Sequence, residues 1–185
     1  MHAYISLLRG INVSGKHKLP MEALKNIYET LGGMHVTTYI QSGNVIFRAT
    51  TSAEVLEDSL SRAIQEQWGY AVPVLVREAH FFSKIVADNP FKGCEPSTLY
   101  VTLLGEATHQ TKIADLTGEA WGEDNMIVQG DVIYVHCPRG YGKTKLNNRF
   151  FETKGHTWAT TRNWKTICKL VELAMPDSSI QREYV

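Results

Sequence analysis

Seven lysines and arginines lie between Arg139 and Lys165 against one acid, Glu152, a net of +6. The whole chain has 19 basic and 19 acidic residues, so the remainder carries the balancing negative charge. Cations gathered in this way suit phosphate or carboxylate ligands. Their spacing is that of two loop-to-helix junctions. Arg139, Lys143, Thr144 and Lys145 follow one apolar run, and Arg162, Asn163 and Lys165 follow another. Gly142-Lys143-Thr144 is the tail of a phosphate-loop pattern, but the pattern's first glycine falls on Cys137. No acid closes a strand to hold Mg²⁺, so nucleotide hydrolysis is not expected. Two readings stay open: a nest of N–H groups and cations for an anion, or a structural glycine turn before a solvated basic helix.

A second group sits near the start. Residues 9–18 hold Arg9, Lys16 and Lys18 with no acid, and they include Asn12. Gln41, Ser42 and Asn44 surround Gly43 in a hairpin signal. Here too an anion site competes with a solvated loop and a tight turn. Seven histidines show no metal-ligand spacing, no Cys-x-x-Cys or Gly-x-Ser-x-Gly is present, and no cofactor or metal is expected. Trp158 and Trp164 flank Arg162 and suit either packing or stacking on a base.

The elements that must position these residues follow from period and punctuation. Strands are expected at 2–9, 36–41, 45–48 and 71–77, and helices from Pro20 to Leu31 and over 53–68. A helical connector spans 81–87. The order then returns: strand 98–104, short helix 109–116, strands 125–129 and 132–136, helix 144–154, strand 157–161 and a closing helix 163–175. Tyr4-Ile5-Ser6-Leu7-Leu8 echoes Tyr100-Val101-Thr102-Leu103-Leu104, and Gly43-Asn44-Val45-Ile46-Phe47 echoes Gly130-Asp131-Val132-Ile133-Tyr134. The expected fold is α+β: a tandem duplication of two ferredoxin-like (βαββαβ) plaits plus a C-terminal helix. The expected domains are 1–79, a connector 80–96, and 97–185. Such a plait places the loop after its first strand beside the hairpin after its second. It also places the exits of its third and fourth strands together. Each group of polar residues therefore falls on one sheet rim. The strands are apolar on alternate and intervening positions alike, so both sheet faces are expected to be covered.

Composition narrows the class. Apolar residues make up 43% and charged residues 21%, as in a chain with a folded core. Zero formal charge argues against a protein coated in basic residues for non-specific nucleic-acid binding. No apolar run reaches the ~18–20 residues that span a bilayer, and the first residues lack a signal-peptide pattern. Three widely spaced cysteines, Cys94, Cys137 and Cys168, fit a reduced cytoplasmic protein.

Five short motifs carry a resemblance. Arg9-Gly10-Ile11-Asn12-Val13, Gln41-Ser42-Gly43-Asn44-Val45, Asn89-Pro90-Phe91, Gly140-Tyr141-Gly142-Lys143-Thr144-Lys145-Leu146 and Thr161-Arg162-Asn163-Trp164-Lys165-Thr166 occur in order along nearly the whole chain. Together they resemble the signatures of the bacterial domain-of-unknown-function family 1697 (DUF1697). Ser14 stands where that family's first motif has a second glycine. The resemblance implies a cytoplasmic bacterial protein of two ferredoxin-like subdomains and brings no activity with it.

Three functions remain. The first is binding of a phosphate-bearing or other anionic ligand, a nucleotide or single-stranded nucleic acid, through the basic loops. The second is an enzyme acting on a small anionic metabolite, in which Arg9 and Asn12 orient substrate and Ser42 or Asn44 assists. Its general base is missing, since only His17 is near. The third is a structural role for the motif loops, with Arg162 bonding neighbouring carbonyls. The expected partner is an anionic small molecule or a nucleic acid; no membrane and no obligate protein partner is expected.

Overall fold

The structure is a computed structural model describing residues 1–13, 15, 17–105, 113, 115 and 121–176. It is mixed α+β, with two four-stranded antiparallel sheets and, among the described residues, five α-helices. The strands are β1 (His2–Leu8), β2 (Met34–Tyr39), β3 (Asn44–Ala49), β4 (Val74–Glu78), β5 (Leu99–Leu104), β6 (Asn125–Gln129), β7 (Val132–His136) and β8 (Ala159–Asn163). The helices are α1 (Met21–Thr30), α2 (Ala53–Trp68), α3 (Ala79–Ala87), α4 (Asn148–Gly155) and α5 (Trp164–Ala174). The chain divides into two compact units, Met1–Lys84 with the chain from Lys169 on, and Ile85–Cys168.

In the first unit the sheet order is β2-β3-β1-β4. Tyr4 and Leu8 of β1 face one way, into a core with Val45 and Phe47 of β3. That core is closed by Leu24, Ile27 and Tyr28 of α1 and by Leu56, Leu60 and Ile64 of α2. Ile27 and Tyr28 follow Leu24 by three and four positions, and the α2 positions are four apart, so each helix turns one stripe to the sheet. The Tyr28 hydroxyl donates to Ser6 Oγ at 2.7 Å inside this core, and burial pushes its ionisation well above the usual tyrosine range. Ile5 and Leu7, on the other face, are buried as well.

β4 is an edge strand, and an edge exposes unpaired N–H groups. Glu57 of α2 covers one. Its Oε1 accepts from Val76 N at 2.7 Å and from Arg77 Nη1 at 2.6 Å. α2 ends at Gly69, which takes the left-handed conformation (φ +76°) that closes many helices.

The second unit repeats the sheet order as β6-β7-β5-β8. Its core joins Leu104, Met126, Ile133, Val135, Cys137 and Ala159 to Ile113, Leu146 and Phe151. Glu152 of α4 accepts from Ala159 N at 3.2 Å, so edge strand β8 is covered by the device that covers β4.

Several expected boundaries move, among them β2 (expected at 36–41) and β4 (expected at 71–77), and two further moves bear on the site. The helix expected over 144–154 begins at Asn148. Before it, Thr144 Oγ1 accepts from Leu146 N (3.0 Å) and holds a turn, and Asn147 caps the helix by accepting from Phe150 N (3.1 Å). These local side-chain bonds compete with helical turns. The last strand is Ala159–Asn163, two residues later than expected, because the Glu152 contact fixes its start at Ala159 and pairing with β5 continues to Tyr100↔Asn163. Of the expected helix 109–116, only Ile113 and Asp115 are among the described residues.

Candidate functional site

Loop 9–19 and the hairpin turn meet at one rim of the first sheet, as the topology requires. β1 ends and β3 begins there, with Leu7 opposite Asn44. The joint is Asn12. Its Nδ2 donates to Gln41 O and to Leu19 O, both at 2.9 Å, and its Oδ1 accepts from Leu19 N at 2.9 Å. It does this from a left-handed backbone (φ +54°), which asparagine tolerates. Asn44 is fully buried, and its Nδ2 donates to Tyr39 O and Ser42 Oγ. Both asparagines spend their amides holding backbone in place. Ser42 is half-buried beneath Asn44. Leu8 N donates to Gly43 O (2.8 Å) and Arg9 N to Pro73 O (2.9 Å).

Two aromatic contacts complete this rim. The His17 ring stacks on Tyr70 with centroids 4.6 Å apart, and its Nδ1 lies 3.3 Å from Gly10 O. The Tyr70 hydroxyl donates to Lys18 O at 2.9 Å. The side chains of Lys18 and Gln41 are exposed. Lys16 lies outside the described residues. Nothing in the sequence period marked Tyr70; only its position just after a helix-ending glycine hinted at a loop contact.

The second rim lies where β7 and β8 end on either side of the start of β5. His136 faces Leu99, and Asn163 faces Tyr100. From β7 the chain passes through Cys137, whose N donates to Thr98 O (2.8 Å), into a 3-10 turn at Tyr141–Lys143. The Tyr141 hydroxyl then donates to Thr161 Oγ1 at 3.1 Å. Thr161 is a hub, donating to Asn148 Oδ1 (2.6 Å) and sharing a 2.7 Å bond with Thr102 Oγ1. One hydroxyl has one proton and two lone pairs, so three contacts saturate it. The hub ties the basic turn to the end of β8. The Tyr141 ring also lies 4.8 Å from that of Tyr100. Thr102, Tyr141 and Asn148 were missed as a group in the sequence because they belong to three separate elements.

The cations at this rim divide in two. Arg162 sits inside β8, paired with Val101, and is 9% exposed. Its Nη1 donates to Thr160 Oγ1 at 2.9 Å and to Thr161 O at 3.0 Å. The expectation that it lies in a loop beside a ligand is corrected by the later end of the strand. Lys143, Lys145 and Lys165 are exposed, with no ion pair among the described residues. Arg139 is also exposed, and its Nε lies 3.2 Å from Glu123 Oε2. Thr144 is buried in its turn. The Asn163 side chain is exposed at the end of β8, and its Oδ1 accepts from Thr166 N at 2.8 Å in the first turn of α5.

Cys137 lies beneath the turn, fully buried. Burial pushes its thiol up to about 11, opposed by a hydrogen bond with Thr144. Such a thiol is unreactive at neutral pH. Among the described residues no group of three histidine, cysteine or acidic side chains could hold a metal ion, and no helix is long and apolar enough to cross a membrane.

This mixed α+β architecture has a solved counterpart. A solved structure of a conserved bacterial protein from Streptococcus pneumoniae matches it with a TM-score of 0.77 over 94% of this chain and 98% of that one, at 22% sequence identity. The profile described as Protein of unknown function (DUF1697) matches residues 1–134, and the chain belongs to that family. No significant match is found among curated proteins.

Proposed function

We infer that the chain binds a phosphate-bearing or other anionic ligand at the β7–β8 rim of its second unit. The observation carrying this reading is that Lys143, Lys145 and Lys165 are exposed, without ion pairs among the described residues, on two segments that the Tyr141–Thr161 bond holds together. Lysines so placed offer an anion charge without first giving up a partner. Binding of inorganic tripolyphosphate, followed by calorimetry, tests it. The double variant Lys143→Ala, Lys165→Ala loses most of the affinity; unchanged affinity refutes the site.

A structural role suits other positions: Arg162, Asn12 and Asn44 engage backbone or neighbouring hydroxyls.

We propose a duplication of two ferredoxin-like plaits within 1–79 and 97–185, although the chain from Lys169 on belongs to the first compact unit. Support comes from the shared sheet order and from glutamates Glu57 and Glu152, each covering an N–H of the last strand of its sheet. The free thiols Cys94, Cys137 and Cys168 suit a reducing cytoplasm.

A further inference from the structure

Resting on the anion-binding reading, we propose that the ligand of the β7–β8 rim is single-stranded nucleic acid, its phosphates on Lys143 and Lys165 and its bases on the aromatic rings of the same rim. Cations alone would take any polyanion. What distinguishes this rim is where its rings lie. Tyr141 occupies the same turn as Lys143. Its ring sits against Tyr100, and Tyr100 is the register partner of Asn163, two residues before Lys165. The aromatic pair therefore links the turn that carries Lys143 to the strand position facing Asn163, just before Lys165. The ring hydroxyls are tied down, Tyr141 to Thr161 Oγ1 and Tyr100 to Ser97 O (3.2 Å), so the rings are held before any ligand arrives.

A second pair, Phe91 and His136, has centroids 5.6 Å apart, and His136 is the last residue of β7 at this same rim. All four rings are partly exposed. Two aromatic stations at one rim, one on each face of the sheet, match a chain of unstacked bases crossing the rim better than one phosphorylated metabolite. A duplex keeps its bases stacked and cannot use them.

The test uses the full chain and three probes: fluorescein-labelled decathymidylate, thymidine monophosphate and inorganic polyphosphate. Decathymidylate is expected to bind more tightly than the mononucleotide. Tyr141→Leu weakens it by about 5- to 160-fold, the range for one lost base stack. Tyr141→Phe, which keeps the ring but loses the hydroxyl bond to Thr161, weakens it less than Tyr141→Leu does. Phe91→Leu gives an independent reading at the second station if Tyr141→Leu fails to fold, and there too a loss of at least fivefold is expected. If polyphosphate binds as tightly as decathymidylate and neither leucine variant matters, the inference falls while the anion site stands. Mononucleotide binding as tight as the decamer also overturns it. If no probe binds, both readings fall together.

Discussion

A Cβ at position 43 would lie 2.7 Å from Leu8 Cβ and 2.8 Å from Ile11 Cδ1, on a backbone with φ +74°. Gly43→Ala therefore meets both a clash and a left-handed penalty, and should cost about 2–4 kcal/mol in chemical denaturation. Gly69 has a similar φ but open space around it, so Gly69→Ala should cost only about 1 kcal/mol. Arg162 makes the same point about burial. Arg162→Ala should lower the melting temperature, by the equivalent of about 1–3 kcal/mol, while leaving tripolyphosphate affinity within twofold. The cysteines supply a third residue-level test. Burial pushes Cys137 and Cys168 up to about 11. At pH 8 roughly one thiol in a thousand is ionised at such a value. Iodoacetamide labelling read by mass spectrometry should therefore find Cys94 modified first. The types and order of the rim residues were legible in the sequence. Which of them point outward was not, because Arg162 and Lys165 differ only by where β8 stops.

At the scale of elements, a pair of glutamates on edge-strand amides adds to the apolar contacts that join helix to sheet. Glu57 is the more informative because burial raises its pKa despite the opposing bonds from Val76 N and Arg77. A carboxyl with a raised native value keeps its proton while the unfolded chain, near 4.5, gives it up. Stability from this group is thus highest below 4.5 and falls as pH rises through the window just above it. Glu57→Gln should flatten that part of the stability-pH profile, measured by urea unfolding. Element order and most strands could be read from apolar period and turn residues. The start of α4 could not, since Thr144 and Asn147 divert the backbone through side-chain bonds that periodicity does not register. Hence Asn147→Ala, which uncaps α4, should cost about 1 kcal/mol.

At the scale of the molecule, zero formal charge conceals a basic segment balanced by acids elsewhere. The sheets turn that linear asymmetry into a local one. β7 and β8 run parallel on either side of β5, so His136 and Asn163, 27 positions apart, leave the sheet at one rim. That consequence of topology could be drawn from the order of elements alone. The aromatic pairing and the Thr161 hub could not, because they depend on side chains meeting across strands. The most direct test is an amide chemical-shift titration of the full chain with inorganic tripolyphosphate. The predicted result is saturable shifts confined to residues 140–145 and 163–166. Shifts centred on 9–13 and 41–44, or none at millimolar ligand, would contradict it.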